Sequence, residues 1–227
     1  NVRNEDPHGI LSMKLLQHVN VKQCERLTSV FPASVTKDLV KLEDLVVVDC
    51  EELMEIVADD NADPRGANLE KLVVKDSEGL METCTVSFPN LTYLQVQYCN
   101  SLLYLFSSST ARSLGQLKTM EISQCDSIAE IVSKEGDKSH ENEIIFSQLN
   151  CLKLLKLPKL RSFYRGSLLS FPSLEKLSVI DCEWMETLCP GTLKADKLVE
   201  FQLDKCSYAI NLENDLNSTM REEFGAK

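Results

Sequence analysis

The feature that most restricts what this chain can fold into is a nine-residue phrase, LxxLxLxxC, that keeps returning along it. It reads LQHVNVKQC from Leu16, LEDLVVVDC from Leu42, LTYLQVQYC from Leu91, LKTMEISQC from Leu117, LEKLSVIDC from Leu174 and LVEFQLDKC from Leu198, with other aliphatics sometimes standing for Leu. Two further copies lack the cysteine: LEKLVVKDS from Leu69 ends in Ser77, and LNCLKLLKL from Leu149 ends in Leu157. The start-to-start spacings are 26, 27, 22, 26, 32, 25 and 24 residues. A fixed period of this length marks stacked supersecondary units, none of which can bury its apolar face alone.

One copy shows the physics. In LEDLVVVDC, Leu45 and Val47 point to one face of a strand while Asp44, Val46 and Val48 point to the other, because successive side chains alternate. Beyond the cysteine the spacing changes to three: Cys24, Leu27, Val30; Cys50, Leu53, Ile56; Cys99, Leu102, Leu105; Cys125, Ile128, Ile131; Cys182, Met185, Leu188. A strand followed by a return arc of irregular or 3₁₀ structure has this signature. The predicted fold class is therefore α/β: a leucine-rich-repeat solenoid, with a curved parallel β-sheet on the concave face and an irregular, 3₁₀ or short helical convex side. Eight strands at about 4.8 Å each make a ribbon roughly 35 Å long.

A longer period overlies the first. FPASVTKDLVKL from Phe31 matches FSSSTARSLGQL from Phe106, 75 residues later, and both are expected to form short convex helices. Each is followed by a repeat, then by EIV (Glu55 to Val57, Glu130 to Val132) and a charged loop, ADDNADPRGAN or SKEGDKSHENE. The expected organisation is an N-terminal edge at 1–15, a solenoid of about eight repeats at 16–212 and a capping segment at 213–227, where Asn217 or Ser218 can start a short helix. The absence of a starting Met reads as a piece cut from something longer.

Composition removes several function classes. The net charge of −11 opposes the phosphate attraction behind nucleic-acid binding. No apolar run reaches the roughly 18–20 residues of a membrane span, and the first fifteen residues lack signal-peptide architecture. Nine cysteines without a CxxC pair do not make a disulfide framework. Cys24, Cys50, Cys99, Cys125, Cys182 and Cys206 share one place in the repeat and are expected to be a buried structural ladder in a reducing, cytoplasmic compartment. Zinc is the competing idea for these thiols, but zinc ligands come as close pairs and these do not. Cys84, Cys151 and Cys189 fall outside the ladder, and Cys151, on the open face, is the expected reactive thiol. His8, His18 and His140 are scattered, and the acidic run Glu55 to Asp63 lacks the rhythm of a calcium loop. No enzyme, metal or cofactor is expected.

The open strand face carries the informative residues. Its columns read His18, Asp44, Lys71, Tyr93, Thr119, Cys151, Lys176, Glu200; then Asn20, Val46, Val73, Gln95, Glu121, Lys153, Ser178, Gln202; then Lys22, Val48, Lys75, Gln97, Ser123, Leu155, Ile180, Asp204. Apolar and aromatic groups exposed among polar ones suit a protein partner. The candidate partner-binding residues are Val48, Val73, Lys75, Tyr93, Gln95, Gln97, Glu121, Lys153, Leu155 and Ile180.

The LxxLxVxxCxxLxxLF rhythm, the FPNL and FPSL openings at Phe88 and Phe171, and the terminal PGTLKADKLVEFQL and DLNSTMREEF resemble the C-terminal repeats of plant intracellular immune receptors of the coiled-coil, nucleotide-binding, leucine-rich-repeat class. The resemblance covers about residues 16 to 227 and implies a recognition and autoinhibition module. Its implied partners are a pathogen effector, a guarded host protein or the receptor's own nucleotide-binding domain. The chain holds no GxxxxGK[ST] phosphate loop, so nucleotide binding is not expected of it. The alternative from another class is a substrate-recruiting adaptor of a ubiquitin ligase, which would need an F-box-like segment upstream.

Overall fold

Alternating burial makes each phrase a strand, and the shared spine of buried aliphatics makes the strands neighbours. The computed structural model of the protein describes residues 13–58, 86–133, 143–203 and 206–209, the last of these as backbone. One sheet runs β1 (His18–Lys22), β2 (Asp44–Val48), β3 (Tyr93–Gln97), β4 (Thr119–Ser123), β5 (Cys151–Leu155), β6 (Lys176–Ile180), β7 (Glu200–Leu203) and β8 (Cys206–Ala209), in that spatial order. The first seven are parallel and in register, so that Leu45, Leu94, Met120, Leu152, Leu177 and Phe201 stack in one line. All six are buried, and the alternate residues of their strands are less buried and face outward. Full burial of one such side chain contributes about 1.5–3 kcal/mol, so a slip of one residue in any strand would turn its core set to water.

Two expectations about this sheet are corrected. β2 pairs directly with β3, so Val46 stands opposite Gln95 where the columns had set Val73 beside it; the copy at Leu69 to Ser77, with Val73 and Lys75, lies outside the described residues. The aromatic packing agrees with this order: Phe88, which opens the β3 coil, sits 6.2 Å from Phe31 of the first coil's return and 6.3 Å from Phe106 of its own. The second correction is at the end. β8 runs antiparallel to β7, with Leu203 opposite Cys206, so the backbone turns back where a further parallel coil was expected, and the side chain of Cys206 lies outside the described ones. The capping segment expected at 213–227 lies outside the described residues.

The turn after each strand repeats one backbone device. Gln23, Asp49, Tyr98, Gln124, Lys156 and Asp181 all adopt positive φ, between 53° and 59°, although none is glycine. In five of them the amide donates to the last residue of the next strand, as Gln124 N to Leu155 O (2.9 Å) and Lys156 N to Ile180 O (2.8 Å). The residue that follows is thereby aimed into the core. It is Cys24, half-buried, then Cys50, Cys99, Cys125 or Cys182, all buried, or Leu157, buried as well. A single i to i+3 bond then closes the turn, as in Leu53 N to Cys50 O (3.2 Å), Leu160 N to Leu157 O (3.2 Å) and Met185 N to Cys182 O (3.1 Å).

That single turn is the source of the three-residue spacing, and it gives the convex side the irregular, short-helical character expected of it. Among the described residues the return holds no 3₁₀ helix; it holds parallel ribbons. Ser29–Pro32 pairs with Glu55–Ala58; Phe106–Ser107, Glu130–Ser133 and Ser162–Tyr164 form a second ribbon; Glu143–Ile145, Leu168–Ser170 and Thr192–Lys194 form a third. Stacked coils leave unmet backbone groups on their return as well as on their strands, and pairing coil to coil satisfies them. The two duplicated segments are one-turn helices, α1 (Ala33–Thr36) and α2 (Ser108–Arg112), as expected. Ser107 caps α2 by accepting from Thr110 N at 3.3 Å. Phe146, Phe163 and Phe171 fill the later coils with centroids 5.5–5.7 Å apart.

Candidate functional site

Parallel pairing in register sets the geometry of the open face, because each outward residue stands one strand spacing from its counterpart in the next coil. The described columns are those read from the sequence with the third member removed: His18, Asp44, Tyr93, Thr119, Cys151, Lys176, Glu200 in the first; Asn20, Val46, Gln95, Glu121, Lys153, Ser178, Gln202 in the second. The third holds Lys22, Val48, Gln97, Ser123, Leu155 and Ile180. Eight of the ten candidate residues are therefore on one face: Val48, Tyr93, Gln95, Gln97, Glu121, Lys153, Leu155 and Ile180, all half-buried between their neighbours.

At the centre, Lys153 Nζ donates to Glu121 Oε1 at 2.5 Å while the Tyr93 hydroxyl reaches Glu121 Oε2 at 3.5 Å. The hydrogen bond from Lys153 to Glu121 raises the lysine above its ordinary value. Burial, then the charge of Glu121, raises the Tyr93 phenol. Two more cross-strand pairs flank this trio: His18 Nδ1 with Asp44 Oδ2 (2.6 Å) and Lys176 Nζ with Glu200 Oε2 (3.3 Å). Gln97 Nε2 donates to Gln124 Oε1 at 3.1 Å. The face thus meets much of its own charge internally, and what it offers a partner is shape, the Tyr93 ring and a broken row of Val48, Leu155 and Ile180. Exposed pairs of this kind add little to stability.

The thiols behave as a ladder. Cys24, Cys50, Cys99, Cys125 and Cys182 each donate to the carbonyl two residues back, at 3.3–3.6 Å. Between coils, Cys125 Sγ accepts from Cys99 N at 3.4 Å, and Cys182 Sγ reaches Leu154 O at 3.6 Å. Burial pushes the Cys50 thiol up, and the hydrogen bond with Cys125 together with burial pushes Cys99 up. Cys151 does face the open side, as expected of the reactive thiol, and burial raises its pKa, which works against thiolate formation there. Cys189 is buried and donates to Gly166 O at 3.4 Å, and Cys84 lies outside the described residues.

A second surface was missed in the sequence. At the ends of the strands, Tyr98, Asn100, Gln124, Asp126, Lys156, Pro158 and Asp181 line a shallow groove of about 380 Å³. On the flank beyond it, Trp184 is 61% exposed with the Arg161 guanidinium 5.8 Å from its ring centroid. Trp184 lies two residues past a ladder cysteine, outside the strand columns, so a strand-face search passes over it. Among the described residues, no three His, Cys, Asp or Glu side chains converge as metal ligands, and no helix is long and apolar enough to cross a membrane.

The sequence matches the family described as plant disease resistance protein RPS2-like, leucine-rich repeats, over residues 1–51, 67–126 and 83–207. Two proteins of Arabidopsis thaliana named as disease resistance proteins are similar to it. One is 28% identical over 179 residues, 77% of this chain and 22% of its own length. The other is 30% identical over 160 residues, 69% of this chain and 10% of its own length. The chain thus spans between a tenth and about a fifth of the relatives it matches. No solved structure matches it.

Proposed function

This chain belongs to the leucine-rich repeats of plant disease resistance proteins, and from that premise we propose that its open sheet face is a recognition surface for a pathogen effector or a guarded host protein. The same module, in this reading, restrains the nucleotide switch of the receptor it serves until the partner arrives. A ligand can drive such a switch only by binding the restrained and released states unequally.

The observation that carries the reading is the contrast between the two faces of one sheet. Inward positions repeat as Leu, Val, Ile, Met or Phe in every coil, while the outward columns change type from coil to coil, as in Asn20, Val46, Gln95, Glu121, Lys153, Ser178 and Gln202. Outward residues can vary without touching the core, which is what a surface adapted to one partner among many requires. The relatives are named as disease resistance proteins, so they lend nothing to the ubiquitin-ligase adaptor.

The test is titration calorimetry of the chain against candidate effectors and host proteins, repeated with Tyr93→Ala and Lys153→Glu. A genuine partner should lose about tenfold or more in affinity, roughly 1.4 kcal/mol. Unchanged affinity with both variants removes the open face from the account. For restraint, Lys153→Glu in the full-length receptor should alter resting signalling without pathogen; unaltered signalling separates recognition from autoinhibition.

A further inference from the structure

We infer that the flank of the coil begun by β5 is a second docking surface, suited to an acidic polypeptide segment that carries apolar side chains, with Lys156, Lys159, Arg161 and Trp184 as its contacts. The inference is independent of what the open face binds.

Charge singles out this coil. Between Glu143 and Glu175 the chain has no Asp or Glu but holds Lys153, Lys156, Lys159, Arg161 and Arg165, in a protein whose net charge is −11. On the open face Lys153 is met by Glu121. Lys156, Lys159 and Arg161 are exposed and form no ion pair among the described residues.

Bonds between coils fix what stands beside each cation. Lys156 lies in the left-handed row between Gln124 and Asp181. Arg161 N donates to Ala129 O at 2.9 Å and Ala129 N to Leu103 O at 3.1 Å, so Leu103, Ala129 and Arg161 form one row; Glu186 N extends it by donating to Arg161 O at 3.1 Å. Lys159, two residues past Leu157, matches Ser127, two past Cys125, and Trp184, two past Cys182. On the β4 side, Asp126 apart, the cations therefore border uncharged side chains, with Tyr98 and Leu103 exposed beyond them. On the β6 side they border Asp181, Glu183, Glu186 and the Trp184 ring.

This arrangement discriminates among anionic partners. Carboxylates one coil away, about 4.8 Å, lie well inside the ~8 Å screening length of physiological salt. A nucleic-acid duplex or an anionic bilayer spreads its charge widely and would set phosphates against Asp181, Glu183 and Glu186 as well as against the cations. A single polypeptide fits a strip one coil wide. Its carboxylates would meet Lys156, Lys159 and the Arg161 guanidinium, which lies 5.8 Å from the Trp184 ring centroid. Its apolar side chains would cover Trp184, 61% exposed, and Leu103, 57% exposed. Trp and Arg side by side are the residue types that anchor protein interfaces.

Trp184 is the chain's one tryptophan, so its emission reports this surface. The experiment titrates the chain with a short synthetic peptide of Asp and Glu interrupted by Leu and Phe, following Trp184 emission and its quenching by acrylamide. Emission should move to shorter wavelength and quenching should fall, about twofold at saturation. The same peptide with Asn and Gln for Asp and Glu should do neither. Lys159→Glu with Arg161→Glu should weaken binding about tenfold or more. Lys118→Glu with Lys197→Glu makes the same change of total charge near the starts of the strands and should leave affinity within about twofold. All four of these side chains are exposed, so both variants should fold. Unmoved emission with the acidic peptide, an equal response to the uncharged one, or equal weakening by the two double variants each overturns the inference. So does protection of Trp184 by a DNA duplex or by phosphatidylserine vesicles with none by the peptide.

Discussion

Replacing Lys156 should show that the turn after each strand is a strained backbone position rather than an ordinary loop. Lys156 has φ of 55°, and its amide donates to Ile180 O at 2.8 Å. A Cβ in the left-handed region costs about 1–2 kcal/mol, and glycine at the same place avoids that cost but loses about 0.5–1 kcal/mol of extra chain entropy on folding. Lys156→Gly should therefore stabilise the chain by about 0.5 kcal/mol, or at worst leave it unchanged. Lys156→Val, branched at Cβ, should destabilise it by about 1–2 kcal/mol. Ser178, half-buried on β6 with extended backbone, supplies the opposite case. There glycine should cost about 0.5–1 kcal/mol and valine should be neutral or favourable, on the scale of strand preferences. The assay is urea unfolding followed by circular dichroism, with midpoints compared at equal slope. The decisive quantity is the sign reversal between the sites. If glycine destabilises at both positions alike, the left-handed row is not a strained device and the reasoning fails.

Other consequences can be checked on the same protein. At Gly191 an added Cβ would run into the Ser167 carbonyl, whose oxygen already accepts from Thr192 N at 2.7 Å. Gly191→Ala should thus lower stability by about 1–3 kcal/mol, while Gly115→Ala, with open space around it, should be within about 0.5 kcal/mol of wild type. Ile122→Ala empties a fully buried position in the middle of the stack and should cost about 2–5 kcal/mol in the same titration. The pH dependence has a definite sign. Lys153 and Tyr93 both have folded pKa values raised above their ordinary ones, so the stability they supply is complete below about pH 10 and falls as pH climbs through the folded values. Lys153→Met should flatten part of that alkaline slope; an unchanged slope would detach the lysine from it.

Much of the sheet was legible because burial on one face enforces a period of two. Leu45, Val47, Leu94, Val96, Met120 and Ile122 could be placed inward from spacing alone, and all are buried. The register columns followed, since parallel strands of equal length starting at equivalent leucines align residue for residue. Three things did not follow. The left-handed row is occupied by Gln, Asp, Tyr, Gln, Lys and Asp, and without glycine the sequence carries no mark of its backbone. The direct pairing of β2 with β3, which goes with Phe88 packing near Phe31, 57 positions away, is a long-range relation that local periodicity cannot register. The third was Cys206, where the phrase is complete but the chain turns back on β7. A phrase specifies a strand and a turn; whether another coil follows depends on what comes after it.

The left-handed row bears on the proposed recognition surface. The same backbone device that aims a cysteine into the core sets its own side chain on the rim, where Tyr98, Gln124, Lys156 and Asp181 line the groove of about 380 Å³. The rim is therefore as firmly positioned as the open face, being held by amide bonds from Tyr98 to Ser123 O, Gln124 to Leu155 O and Lys156 to Ile180 O. A side chain fixed by its backbone loses less freedom on meeting a partner than one on a loose loop. If recognition by this chain extends past the strands, it should extend along this rim, so Gln124→Ala should weaken a partner that Tyr93→Ala also weakens. In that case the Gln97 to Gln124 bond at 3.1 Å couples the two, and the double variant should lose less affinity than the sum of the singles. Strict additivity would mean that the partner reads the face and the rim separately, or does not touch the rim at all.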